Sequence, residues 1–210
     1  PGDVGTAAYG ERTPGQTRPE RHIHPQMGSR DVLRSLPFWT ISITHFACCI
    51  AHSGPILHLV AHATDQGIPA MAAATVLGVS GFAAMLGRLV TGMLADRFGA
   101  KPILVVSLGF QAIMVLLFLF AKDLGTFYAL AFFFGMSYGG VMPLYALVTR
   151  EYFGARVMGT AYGGVFFISS IGMGVGSYAG GVIFDHFRSY QWLYLSAFAI
   201  ASSRSLWQPR

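Results

Sequence analysis

The stretch Gly87-Arg88-Leu89-Val90-Thr91-Gly92-Met93-Leu94-Ala95-Asp96-Arg97-Phe98-Gly99-Ala100-Lys101 decides how the rest of the chain is read. Between Ser35 and Gly87 the only Asp, Glu, Lys or Arg is Asp65. The stretch then sets an arginine inside an apolar run and follows it with a charged turn before the next apolar run. A cation buried in a membrane-type segment is expensive, and so reads by default as a functional residue. The expected arrangement is a membrane helix that ends here, a hairpin on the cytoplasmic side, and one cation left at membrane depth.

Composition supports that expectation. The 210 residues are 53% hydrophobic and only 11% charged, with mean hydropathy +0.53, whereas a soluble domain carries about a quarter charged residues. The surface therefore cannot be mostly water-facing, and an integral membrane protein is expected. The net charge is +5. Its cations are spread between the apolar runs and in the N-terminal tail, without the patch that nucleic acid needs, so no nucleic-acid partner is expected. Cys48 and Cys49 are adjacent within an apolar run, and neighbouring cysteines rarely bridge. Pro1 is no initiator and no signal peptide is recognisable, so the sequence is expected to be a piece of a longer protein.

Residues 1–35 are expected to form a disordered cytoplasmic linker and a short interfacial lead-in, being rich in Pro, Gly, Arg and Thr without an apolar period. Five apolar runs follow, at about 37–60, 69–95, 102–121, 126–148 and 158–184, each near the ~20 residues a membrane helix needs. They are continuous and not alternating, which excludes barrel strands. A sixth run at 191–203 meets Arg204 after about a dozen residues, or about 18 Å, too short for a core of about 30 Å. Residues 204–210 do not read as its continuation and look non-native. The bundle is thus expected over 36–203. Arg30, Arg34, Arg97, Lys101, Arg150 and Arg156 gather on one side of the spans, against Lys122 and Arg188 on the other. By the positive-inside rule the first side is cytoplasmic, which puts residues 1–35 and the 96–101 loop there in a multi-pass protein of the cell membrane.

Gly92-Met93-Leu94-Ala95-Asp96-Arg97-Phe98-Gly99-Ala100-Lys101 resembles the loop signature G-x-L-A-D-R-x-G-R-K of the major facilitator superfamily, which recurs between the second and third helices of each six-helix half. It departs at Ala100, where a basic residue is usual. The resemblance covers about residues 30–203 and implies an all-helical membrane fold, the C-terminal six-helix bundle of a twelve-helix transporter, with the last helix cut short. Leu57-His58-Leu59-Val60-Ala61-His62-Ala63-Thr64-Asp65-Gln66-Gly67-Ile68 and Gly87-Arg88-Leu89 resemble the branch of oxalate/formate exchangers and monocarboxylate transporters. In that branch the substrate arginine stands four residues before the helix-end glycine, which implies Arg88 before Gly92. The lysine of the oxalate exchangers falls on Ser169 here, so a monoanion suits one arginine better than a dianion.

Depth points the same way without the resemblance. Arg88 lies eight residues before Asp96, so about 12 Å into a core of about 15 Å half-thickness. That is near the midplane, where transporters place substrate, and a guanidinium there can hold a carboxylate bidentately. Tyr138, with Gly139, Gly140 and Pro143 on a helix able to bend, and His45 at similar depth are expected to line the cavity with Ser169. Gly92, Asp96, Arg97, Gly99 and Lys101 are expected to form a conformational latch. Gly92 would allow close helix approach, Gly99 the turn, and Asp96 a contact to a helix N-terminus or a cation. Gly172, Gly176 and Gly180 make one groove for close helix crossing. His45, Cys48, Cys49 and His52 share a helix face. Ligands on one helix rarely close a metal tetrahedron, so no metal and no cofactor are expected.

The expected partners are the lipid bilayer, a small anionic substrate, the missing N-terminal six-helix half, and protons or a counter-anion. No catalytic motif occurs, so no enzyme is expected. The alternatives are a drug or sugar transporter of the same superfamily, a membrane-embedded enzyme, which would need polar pairs at the midplane, and a fragment with no transport of its own.

Overall fold

The computed structural model describes residues 28–202, so most of the expected linker and the expected tail at 204–210 lie outside the described residues. Ser29–Arg34 (α1), Leu36–Leu57 (α2), Leu59–Asp65 (α3), Ala70–Phe98 (α4), Ala100–Leu117 (α5), Leu124–Phe153 (α6), Met158–Phe187 (α7) and Gln191–Ser202 (α8) follow one another, with a 3-10 turn at Phe118–Phe120. No strand occurs among the described residues. α2, α4, α5 with its 3-10 turn, α6 and α7 are long and apolar enough to cross a membrane. α8 is apolar over a shorter length.

Local chemistry sets the helix ends. The Ser35 hydroxyl accepts from the Phe38 N–H at the start of α2, and Pro37 sits in the first turn, where a missing N–H costs nothing. Pro55 then lies inside α2 and can donate no hydrogen bond. The first apolar run accordingly breaks at His58 (φ −96°, ψ 3°) and resumes as α3. The Asp123 carboxylate caps α6 through the Thr126 N–H at 3.0 Å and the Thr126 hydroxyl. These two donors, the hydroxyl first, hold its pKa below the usual carboxylate value.

The charged loop expected at 96–101 is almost absent. Asp96, Arg97 and Phe98 continue α4, and Gly99 alone separates it from α5. Charged side chains at a helix end project into water and do not break the helix. Gly99, at φ +91°, supplies a backbone conformation that a side chain would strain. The connection is therefore one residue long.

Packing follows two tight pairs, α2 with α7 and α4 with α6; α5 lies on α6, and α8 bridges α2 and α5. Lipid tails are as apolar as leucine, so small residues that let backbones approach decide these pairs. On α6, added Cβ atoms at Gly135 and Gly139 would run into the backbones of Ser80 and Ala84 on α4, and one at Gly140 into Thr91. On α4, one at Gly87 would meet the Met136 carbonyl. Gly172, Gly176 and Gly180 stand likewise against Phe46, Ile50 with Ser53, and His58. Gly92 differs, since an added Cβ would meet nothing within 4 Å. The close approach expected there is made one and a half turns earlier on α4, at Gly87.

The apolar core divides into two clusters. One joins Phe38, Leu104, Leu144 and Tyr145, and the other Phe118, Phe127, Phe134 and Tyr194 at the opposite end. In the latter, buried His62 of α3 has its Nδ1 3.0 Å from the Tyr194 hydroxyl. Burial pushes the His62 pKa from 6.5 to about 4, against a smaller opposing pull from Asp65. The folded state thus binds fewer protons than the unfolded chain in this window, and stability is lost as pH falls from 6.5 to about 4. The expected loss is on the order of 2–3 kcal/mol. Thermal unfolding across that range should show it in the wild type and not in His62→Gln; equal acid sensitivity in both would remove His62 as the cause.

Candidate functional site

The spans carry very little charge. No Asp, Glu or Lys occurs between Gln66 and Ala95, between Leu124 and Thr149, or between Met158 and Phe184, and Arg88 is the only arginine in these three stretches. The tight seam with α6 determines which way Arg88 faces. Gly87 turns inward against Met136, and Thr91, four residues on, meets Gly140. Arg88 is thereby carried off the seam, and its side chain is exposed. The Thr91 hydroxyl donates to the Gly87 carbonyl at 2.6 Å, so this turn of α4 holds its own polar group and leaves the guanidinium uninvolved in the seam.

Tyr138 comes from the neighbouring turn of α6 and is half-buried. Its phenol is within the electrostatic reach of Arg88, Cys48 and Cys49. One face of its ring stacks on Phe134, with centroids 5.9 Å apart and planes 6° from parallel. The His52 ring meets it at 4.9 Å, and His52 Nδ1 lies 3.8 Å from Cys48 Sγ. The Tyr138 ring of α6 thus meets His52 of α2, which in turn lies beside Cys48 on its own helix.

His45 and Ser169 stand elsewhere. His45 is fully buried and stacked on Tyr145, with ring centroids 4.0 Å apart, in the contact between α2 and α6. Ser169 is buried on the face of α7 that also carries Val165 and Gly172, and its hydroxyl donates to the Phe166 carbonyl at 2.8 Å. The structure thus leaves Arg88 exposed on α4 and Tyr138 half-buried on α6, with His45 and Ser169 inside helix seams. His52 was legible in the sequence as a neighbour of Cys48 on one helix face. Its contact with Tyr138 was not, because it depends on how α2 and α6 are offset along their axes. Among the described residues, no three of His, Cys, Asp or Glu are placed to hold a metal ion.

At the Gly99 end, Asp96, Arg97 and Lys101 are exposed. The Arg97 guanidinium lies 5.4 Å from the Phe98 ring centroid and the Lys101 ammonium 4.2 Å from that of Tyr152. Both cations rest on aromatic faces. Beside Lys101 a cleft of about 340 Å³ opens between α2, α5 and α6, lined by Pro37, Thr40, Leu104, Tyr145 and Tyr152 among others.

Comparison with known proteins places these features. Human monocarboxylate transporter 2 is 28% identical over 157 residues, which is 73% of this chain and 33% of that protein. Rat monocarboxylate transporter 4 is 25% identical over 204 residues, 95% of this chain and 42% of that protein. The chain therefore spans between a third and a half of the length of these curated relatives. The crystal structure of the E. coli fucose:proton symporter FucP superposes with a TM-score of 0.64 at 17% identity, over 90% of this chain and 48% of that one, which is a likeness of fold. The family model of the Major Facilitator Superfamily matches residues 10–202. With the glycine-knit helix pairs and the one-residue hairpin at Gly99, that match shows that this multi-pass membrane chain belongs to the Major Facilitator Superfamily.

Proposed function

We propose that the chain is the C-terminal half of a secondary transporter that moves a small organic anion, a monocarboxylate, by alternating access. One observation carries the reading: Arg88 is exposed on α4, in a stretch from Gln66 to Ala95 that holds no other Asp, Glu, Lys or Arg. A guanidinium within a span is costly without an anion, and a carboxylate matches its fork. Tyr138 supplies a hydroxyl to orient the cargo. His45 and Ser169 shape the wall from behind, through the seams they occupy. The likeness to monocarboxylate transporters at low identity supports the same cargo class.

The side holding Arg34, Arg97, Lys101 and Arg150 faces the cytoplasm in the cell membrane, by its excess of cations. Gly92, Asp96, Arg97, Gly99 and Lys101 form the latch between this bundle and the N-terminal half, and Gly92 has open space around it within this bundle. Rocking of the two bundles then exposes Arg88 to each side in turn.

The test is ligand-dependent thermal stabilisation of the purified full-length protein. L-lactate should raise the unfolding temperature, and neutral L-fucose should not. Stabilisation by fucose alone would move the protein to the sugar-transporting reading.

A further inference from the structure

We infer that the cleft beside Lys101 seats one anionic phospholipid, with its phosphate on the Lys101 ammonium and an acyl chain between α2, α5 and α6. The site does not involve Arg88 and is independent of the cargo. Only its assignment to the inner leaflet rests on the orientation given above.

The cleft has the proportions of one leaflet. Helix ends form its rim: Pro37 is the second residue of α2, Lys101 the second of α5, and Tyr152 the last but one of α6. From that rim it follows α2 from Leu36 to Thr44, about 12 Å of helix rise, beside a leaflet core of about 15 Å. Its volume of about 340 Å³ is that of a small-ligand site. Leu36 is exposed at the mouth, and Trp39, one turn on, is exposed as well. The Trp39 indole N–H donates to the Leu33 carbonyl at 3.0 Å, which holds the ring at the end of the span, where tryptophan marks a membrane interface.

The lining is apolar with a single charge. Ile41, Leu104 and Val148 supply hydrocarbon walls, and among the described residues Lys101 is the one charged group that lines the cleft. The two threonines of α2 bond within their own helix, Thr40 donating to the Leu36 carbonyl at 3.0 Å and Thr44 to the Thr40 carbonyl at 2.7 Å. Hydroxyls bonded back to the preceding turn need no further donor site, so these walls suit an alkyl chain. Lys101 is exposed, and its ammonium rests 4.2 Å from the Tyr152 ring centroid. The ring holds the cation at the rim by its face and leaves N–H donors for phosphate oxygens.

These features select the occupant by complementarity. A small soluble carboxylate would match the cation and leave the walls unfilled. A zwitterionic lipid would fill the walls but set its own cation near the ammonium. An anionic phospholipid satisfies both ends at once, and cations at a membrane surface draw such lipids.

The test uses the purified full-length protein, delipidated in detergent, with native mass spectrometry and thermal unfolding as readouts. Dioleoyl phosphatidylglycerol should bind about fivefold or more tightly than dioleoyl phosphatidylcholine, and stabilise accordingly. Dihexanoyl phosphatidylglycerol keeps the headgroup and shortens the chains, and should bind about tenfold or more weakly than the dioleoyl lipid. Lys101→Gln should abolish the preference for the glycerol headgroup. Arg97→Gln removes a cation that does not line the cleft, and should keep that preference. A diazirine-bearing phosphatidylglycerol should label peptides spanning 36–44 and 101–104. Equal binding of all three lipids, a preference that survives Lys101→Gln, or an equal loss in Arg97→Gln overturns the site. Label confined to other peptides also overturns it, and would mean that another part of the full-length protein fills the cleft. The lipid comparison and the labelling need no variant, so they decide the matter if Lys101→Gln fails to fold.

Discussion

Replacing Arg88 with alanine is expected to weaken monocarboxylate binding by about a hundredfold or more while leaving the bundle folded. Two charge-assisted hydrogen bonds from one guanidinium are worth about 1.5–3 kcal/mol each, and a loss of about 3 kcal/mol already exceeds a hundredfold in affinity. The fold should survive because the side chain is exposed and lies off the α4–α6 seam, which is held by Gly87, Thr91, Gly139 and Gly140. Arg88→Lys separates charge from shape. It keeps the cation and loses the planar fork, so affinity should fall by about tenfold and no further. Lactate titrations followed by thermal stabilisation would measure both variants. Unchanged affinity in Arg88→Ala would mean that the guanidinium serves the fold or the membrane interface and that the anion is held elsewhere.

Gly139→Ala is expected to destabilise the bundle by about 3 kcal/mol or more, at the upper end of what overpacking costs. The new methyl would meet the carbonyl oxygen, carbonyl carbon and Cα of Ala84. These are backbone atoms within a helix, so no rotamer change can clear them, and α4 would have to move as a body. That motion would also separate Gly87 from Met136 and Thr91 from Gly140. Gly109→Ala on α5 is the control. Nothing lies within 4 Å of a Cβ there, and alanine gains up to about 1 kcal/mol of helix propensity over glycine. The same substitution should thus have opposite signs at the two sites when unfolding temperatures are compared. A Gly139→Ala protein as stable as wild type would show that the seam is looser than the glycine contacts require.

Much of this protein is legible along the chain because membrane spans are set by local properties. Apolar runs of sufficient length, their interruption by charge, and Gly99 at the hairpin are each decided by a few consecutive residues. The depth of Arg88 is too, since rise per residue converts sequence distance into height on a straight helix. Local chemistry also marked its own uncertainty at the ends. Asp96, Arg97 and Phe98 are polar enough to suggest a loop, yet polarity at a helix terminus is compatible with more helix, and the structure continues α4 through them. Pro55 announces a disturbance in the first span, but the break falls three residues later, at His58, whose N–H still donates to the Gly54 carbonyl before the chain restarts as α3.

The placement of partners across helices was decided only in three dimensions. His45 and His52 lie seven residues apart on one face of α2, and periodicity alone treats them alike. Which of them meets Tyr138 depends on the axial offset between α2 and α6, and that offset is set by glycine contacts on α7 and α4 far away in sequence. Gly92 illustrates the same limit, since it belongs to the recognisable motif while Gly87 makes the backbone contact. The chain by itself determined the family, the spans and the single buried-depth cation, because each is a property of one segment. The tertiary structure alone decided that Tyr138 meets His52 and that Arg88 stands off the α4–α6 seam, because both depend on how helices pack against one another.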